Sequence, residues 1–365
     1  MTRLPTPRIE INLAKIAHNA KKLVQLYGSK GIEIMAVTKG VCGSPEIAKI
    51  FLNQGIQMLA DSKLINLKRM RDAGISAQFV LLRSPALSEI EAVIKYADIS
   101  INTELSVIKK LSETAKSYNT VQKIILMIEM GDLREGIMPE NLEMFIQEVL
   151  KLSGVKIEGI GANFACFGGV KPSEEKMDDL STLASEIEMK FSLPLSYVSG
   201  GNSANYNWFM ATKSIGKINN LRVGESFFLG RETLNRLAIP ELYTDAFTFV
   251  TEVIESKTKP SVPFGELGQN AFGDFPQFED RGQITRAILG AGNQDVLVTG
   301  LLPILDFEIL GSSSDHIVLD AKKMNFSVGD EVTFNLTYGA LLSTMTSPYV
   351  FKKYIHSIEM TPSSP

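Results

Sequence analysis

Cysteine and histidine are scarce in this 365-residue chain, with Cys42 and Cys166 the two cysteines and three histidines beside them. So few ligands cannot supply a multi-ligand zinc site of the usual spacing, and two reduced thiols suit a cytoplasmic protein. No stretch approaches ~18 uninterrupted apolar residues, which excludes a membrane-spanning helix. The opening Met1-Thr2-Arg3-Leu4-Pro5 lacks the apolar core of a signal peptide. Positive charge is never concentrated: the net charge is −4 with no basic block, so a nucleic-acid surface has no support. What remains is the balance of a globular protein, 44% hydrophobic and 21% charged. The length allows two domains, or one large barrel with an appendage.

Short apolar runs alternate with amphipathic stretches through the first two-thirds of the chain. The runs lie at 32–37, 57–60, 78–82, 98–101, 123–130, 155–164, 194–198 and 220–223. Between them are segments of helical period. After Pro139-Glu140, for example, Leu142, Phe145, Ile146 and Val149 recur at helix spacing. A proline opening a helix loses no needed N–H, and an early glutamate suits the helix dipole. Eight strand–helix units predict a (β/α)8 TIM-type barrel over residues 1–240, because parallel strands need crossover helices. An open doubly wound sheet is the runner-up. Beyond about residue 240 the pattern turns β-rich, with runs at 247–254, 296–302, 316–319 and 331–336. Val328-Gly329-Asp330-Glu331-Val332 reads as a tight turn feeding a strand, and no helical period of comparable length follows. Residues 241–365 are therefore expected to form a C-terminal antiparallel β domain, with 361–365 frayed. The N-terminal strand is a candidate to join that domain.

Barrel enzymes carry their reactive groups at the C-terminal ends of the strands. Lys39 sits there, after Ile34-Met35-Ala36-Val37 and before a glycine. Desolvation at a barrel mouth lowers an amine's pKa and leaves it free to form an imine. The ordinary alternative is a lysine that snorkels at a strand end. Ser199-Gly200-Gly201-Asn202-Ser203 follows the seventh predicted strand, and Arg222-Val223-Gly224-Glu225 ends the eighth. Glycines there let backbone N–H groups approach a phosphate, and Ser203 adds a hydroxyl. Alone, Gly-Gly-Asn-Ser is a weak motif. With a strand-end lysine it suggests a phosphorylated aldehyde cofactor across the barrel mouth.

Further segments carry a family likeness: Arg8-Ile9-Glu10-Ile11-Asn12-Leu13 with His18-Asn19, Val37-Thr38-Lys39-Gly40, Gly131-Asp132-Leu133-Arg134-Glu135-Gly136 and Gly161-Ala162-Asn163-Phe164. Gly200–Ser203, Leu221–Glu225 and, more weakly, Phe272-Gly273-Asp274, Ser314-Asp315 and Thr337-Tyr338-Gly339 continue it. In this order they resemble the alanine racemase family along nearly the whole chain, and most of all its ornithine racemase branch. The resemblance implies pyridoxal 5′-phosphate held as a Schiff base on Lys39, which would also serve as one acid/base group. It implies Arg222 at the pyridine nitrogen, where a guanidinium keeps its proton and leaves a weak electron sink that favours proton exchange over transamination. Arg134 would approach the phenolic oxygen and Asn163 the ring. Ser203, Gly224 and Tyr338 would hold the phosphate, with Asn202 beside them. A homodimer with composite active sites is implied as well.

One position departs from the family. Where alanine racemases have the tyrosine that acts as second acid/base, this chain reads Phe272, which has no proton to give. Cys166, Asp315, His316 and Asp274 are the candidates to replace it, although a lone cysteine is more often a small buried hydrophobe. Asp274 and Asp315 are also candidate partners for a distal ammonium, which together with the branch likeness points to a basic free amino acid such as ornithine or lysine. Each equally suits a turn-capping aspartate. Alanine or broad specificity, a non-catalytic pyridoxal phosphate homeostasis protein and a basic amino-acid decarboxylase are the competing functions. The carrier is disfavoured by the 125 residues beyond position 240. The decarboxylase is disfavoured by Arg222, where a carboxylate is expected.

Overall fold

The computed structural model describes residues 4–270 and 272–358; the expected fraying at 361–365 lies outside them. Two compact units divide the chain, Lys15–Thr244 and Met1–Ala14 with Asp245–Pro365. The first strand, β1 (Arg8–Asn12), falls in the second of these.

The Lys15–Thr244 unit is a closed parallel barrel. Its strands are β2 (Glu33–Val37), β3 (Met58–Asp61), β4 (Gln78–Leu81), β5 (Ile99–Asn102), β6 (Gln122–Met127), β7 (Val155–Gly161), β8 (Tyr197–Asn202) and β9 (Asn220–Val223). Each pairs with the next, and β9 returns to β2. The expected runs thus become strands in the expected order. Strands buried on both faces read as continuous apolar runs, as in the fully buried Met58-Leu59-Ala60-Asp61 of β3. Every second side chain fills the barrel: Met35, Val37, Met58, Ala60, Val80, Ile99, Ile101, Ile125 and Met127 form one packed cluster. Each burial of a Val, Ile or Met side chain there contributes roughly 1.5–3 kcal/mol.

The crossover helices start where their sequences say. Ser44 Oγ accepts from Ile47 N at the head of Pro45–Asn53, and Ser173 caps Glu174–Phe191, whose first turn carries Glu174 and Glu175. Leu142, Ile146 and Val149 bury one face of Leu142–Leu150, after a 3-10 turn opened by Pro139.

The other unit is an eight-stranded sheet. Its remaining strands are β10 (Phe247–Pro260), β11 (Gln283–Leu289), β12 (Leu301–Pro303), β13 (Glu308–Ser312), β14 (Ile317–Asp320), β15 (Glu331–Leu336) and β16 (Phe351–Ile355). They run β12-β15-β10-β11-β14-β13, with β1 antiparallel to β10 and parallel to β16. In β1 the buried Ile9 and Ile11 alternate with Arg8 and Glu10, and Arg8 donates to Glu331 at 2.7 and 2.6 Å. The turn at Gly329, φ +93°, feeds β15 as expected.

Two expectations for this region fail. The run 296–302 is strand only at its end: a 3-10 turn, Val298–Gly300, precedes the short β12, which takes Leu301 and Leu302. There Val296 and Val298 are buried, and a Cβ on Gly300 would lie 2.3 Å from Thr337 Oγ1. Apolar β-branched residues filled a core from a turn, which their composition does not distinguish from a strand. A nine-residue helix, Tyr338–Thr346, also occurs where no helical period was expected. It buries Ala340, Leu341, Thr344 and Met345, a face too small and too mixed in polarity to read as periodic.

Candidate active site at the barrel mouth

Lys39 opens a 3-10 turn, Lys39–Val41, directly after β2. Its side chain is half-buried, and its Nζ has no hydrogen-bond partner among the described residues. Burial first, then the Arg134 charge, pushes the amine below the ordinary lysine range, with Arg222 adding to the effect; negative charge at Cys166 and Asp61 pulls the other way. Beneath it, buried Thr38 donates from Oγ1 to Asp61 Oδ2 at 2.8 Å. Asp61 Oδ1 accepts from Lys63 N at 2.9 Å and Asn66 Nδ2 at 3.0 Å. Burial raises the Asp61 carboxyl against those three bonds. Sequence reasoning missed Asp61, although an aspartate closing an apolar strand was a visible signal.

Arg222 pairs in register with Met35, whose side chain is in the barrel core, so it points inward. Its guanidinium donates to Ser199 Oγ at 2.6 Å and to Ala162 O at 2.5 Å. Burial, with the like charge of Arg134, pushes it down to about 10, while Glu135 works in the opposite direction. It therefore stays cationic near neutral pH, held rigidly by the ends of β7 and β8.

The Ser199-Gly200-Gly201-Asn202 stretch, expected to follow its strand, is the C-terminal part of β8, and Ser203 opens the next 3-10 turn; close approach sets this strand end. A Cβ on Gly201, at φ +142°, would fall 2.1 Å from Asn205 Oδ1. That oxygen accepts from Asn202 N at 2.9 Å, and Asn205 Nδ2 donates to Gly200 O at 3.0 Å. Asn202 Nδ2 in turn donates to Asn163 Oδ1 at 3.1 Å and to Phe164 O at 2.8 Å. Ser203 Oγ accepts long bonds, 3.4 Å each, from Gly224 N and Ser226 N. Asn163 Nδ2 is shut off from solvent and has no hydrogen-bond partner among the described residues, an unsatisfied buried donor of the kind that calls for an explanation.

Cys166 and Arg134 meet beside this strand end, on the segments that follow β7 and β6. Asp132, almost fully buried, accepts from Cys166 N at 3.3 Å, Phe167 N at 3.0 Å and Val170 N at 3.2 Å, which fixes the loop after β7. Arg134 Nη1 lies 2.8 Å from Cys166 Sγ, and its other nitrogens clasp Glu135. The cysteine is exposed, not the buried hydrophobe of the ordinary reading.

Lys39, Arg134, Asn163, Cys166, Asn202, Ser203, Arg222 and Gly224 all belong to the barrel unit. Phe272, Asp274, Asp315, His316 and Tyr338 belong to the other. Asp315 Oδ1 engages Ser313 Oγ at 3.1 Å and His316 Nδ1 at 3.0 Å, the geometry of an aspartate holding its own turn. Asp274 bonds Asn270 in the same local manner. Tyr338 begins the helix Tyr338–Thr346. Among the described residues, no group of three His, Cys, Asp or Glu could hold a metal ion, and no helix is long and apolar enough to cross a membrane.

The mouth thus offers an amine with a lowered pKa, a fixed guanidinium, a buried amide donor and a glycine-rich corner with a hydroxyl. That set fits an aromatic aldehyde bearing a phosphate. The family model Alanine racemase, N-terminal domain matches residues 11–232. The chain is 41% identical over 353 residues to an ornithine racemase of Acetoanaerobium sticklandii, covering 96% of this chain and 99% of that protein. It is 40% identical over 354 residues to a lysine racemase of Thermotoga maritima, again covering 96% and 99%. An alanine racemase structure from Streptomyces lavendulae superposes with a TM-score of 0.76 over 98% of this chain and 99% of that one; at 16% identity, that likeness speaks for the fold alone.

Proposed function

This chain belongs to the alanine racemase family, and on that footing we propose that it is a pyridoxal-phosphate-dependent racemase of a free basic amino acid, ornithine or lysine. The likeness along nearly the full length to two racemases of diamino acids carries the reading. The unpartnered Asn163 amide and the crowded glycine corner fit the cofactor. When bound, pyridoxal phosphate supplies an electron sink that acidifies the α-C–H of an amino acid.

The chain's own residues would do the rest. Lys39 Nζ would hold the aldehyde and move the α-proton on its face of the substrate. Its depressed pKa leaves more of the amine uncharged at a given pH, which suits both tasks. Arg222 would face the ring nitrogen and keep its own proton. Arg134 would meet the phenolic oxygen, and Asn163 would lie by the ring. Ser203, Gly224 and Asn202, with Tyr338 as the family likeness implies, would hold the phosphate. The reading extends to a cytoplasmic homodimer.

Chiral chromatography after incubation of the cofactor-loaded enzyme with L-ornithine, L-lysine and L-alanine is the test. The D-form of ornithine or lysine should appear faster than D-alanine. Formation of D-alanine alone would remove the basic substrate, and no D-product from any of the three would remove the racemase.

A further inference from the structure

Racemisation by the two-base route uses a proton carrier on each face of the α-carbon. Lys39 serves one face, and Phe272 has no proton to carry. Lys39 rises from the end of β2 and Cys166 from beyond the end of β7, three strands away around the barrel through β9 and β8. The two residues therefore stand on different sides of the rim, and each is tied to Arg134, Cys166 by contact and Lys39 by charge.

The other acids of the barrel rim are already engaged. Asp61 accepts three hydrogen bonds from Thr38, Lys63 and Asn66. Asp132 is covered by the backbone of its own loop, Glu129 accepts from Gly131 N and Leu133 N, and Glu135 is clasped by Arg134. Cys166 differs from all of them. Its backbone N–H is pinned to Asp132, the residue is exposed, and among the described residues its side chain is met by one donor, Arg134 Nη1 at 2.8 Å. Arginine donates only, so the sulfur is the acceptor in this contact and Arg134 does not take its proton.

We infer that Cys166 is the second acid/base group, its Sγ exchanging a proton with the substrate α-carbon on the face opposite Lys39; this rests on the racemase reading above. In one direction the α-C–H bond breaks and its proton goes to Lys39 Nζ. The Sγ–H bond then breaks and its proton forms the new C–H bond, which leaves an ammonium and a thiolate. Water at the exposed sulfur protonates the thiolate, and the ammonium releases its proton to solvent. For the other enantiomer the thiolate accepts and the ammonium donates, so no oxidant or further reactant is needed. Arg134 acts as a positioning residue for the sulfur in both directions.

The test uses the cofactor-loaded enzyme in D2O, with each enantiomer of its best substrate supplied separately. Cys166→Ala should lower racemisation by roughly 10²–10⁴-fold while KM changes less than about threefold. Deuterium should still enter the α-position of one enantiomer, the one whose proton faces Lys39, and no longer enter the other. Cys166→Ser, whose hydroxyl gives up its proton far less readily, should show the same one-sided exchange. A readout independent of turnover is alkylation by iodoacetamide, followed by mass spectrometry with Cys42 as the internal control. Cys166 should label first in the cofactor-free chain and be protected once cofactor and substrate are bound. Racemisation by Cys166→Ala within about threefold of the natural enzyme would overturn the inference and leave the racemase standing. Equal loss of exchange from both enantiomers would assign Cys166 a supporting role and overturn it as well. An unaltered enzyme that yields no D-amino acid would take both readings down.

Discussion

At Lys39 the fold places an amine where its charge is least welcome, between burial and the cations Arg134 and Arg222. Function and stability then pull apart. A folded-state pKa below the unfolded value means that the charged amine weighs against the fold at low and neutral pH. That penalty disappears as pH rises through the folded value toward the ordinary 10.5. Cofactor-free Lys39→Met should therefore be more stable than the natural chain at pH 7, and the advantage should shrink by pH 10.5; urea melts at the two values check the sign. Lys39→Ala should abolish racemisation and any cofactor retained after borohydride and denaturation, while phosphate contacts keep some cofactor non-covalently bound. Normal turnover by that variant would remove the central assignment. Asp315 is a subtler case, since its Oδ1 already bonds within its turn. If its carboxylate also meets a distal ammonium, Asp315→Asn should weaken ornithine and lysine turnover roughly tenfold or more beyond any effect on alanine, the scale of a hydrogen bond to a charged group. Equal losses across the three substrates would leave it a turn residue.

Among elements, the C-terminal end of β8 shows how closely backbone approach sets a site. Gly201→Ala forces a side chain into φ +142° and onto Asn205 Oδ1, so it should cost roughly 1–3 kcal/mol. A lower Tm and faster loss of cofactor on dialysis would record the change. Gly28 is the contrast: nothing lies within 4 Å of its added Cβ, and Gly28→Ala should leave Tm unchanged or slightly higher. The elements that sequence reading recovered are those with strong local signals, eight apolar runs with capped helices between them. It lost the 3-10 turn Val298–Gly300 and the helix Tyr338–Thr346. In both, the pattern of burial is imposed by neighbours distant in sequence, such as Thr337 against Gly300.

For the molecule as a whole, the segment 261–281 between β10 and β11 carries Phe264, Phe272, Phe275 and Phe278 with exposed rings. Apolar surface of that kind is what a protein interface covers. Light scattering at assay concentration should give twice the 40.1 kDa chain mass. A fully active monomer would remove the proposed dimer.

Strand and helix order and the barrel were legible in the sequence, because periodicity is local; the roles proposed for Arg134 and Arg222 came from the family likeness, and those for Lys39 and the Gly-Gly-Asn-Ser stretch also from their place at strand ends. Membership of β1 in the sheet unit was only a candidate, since pairing to β10 and β16 joins residues more than 200 positions apart. The pull of Arg134 and Asp61 on Lys39, the unpartnered amide of Asn163 and the bond from Arg134 to Cys166 were decided by tertiary structure alone. Closing the barrel brings strand ends from all parts of the unit to one mouth, and charge and hydrogen bonding depend on distance in space, which no spacing along the chain records.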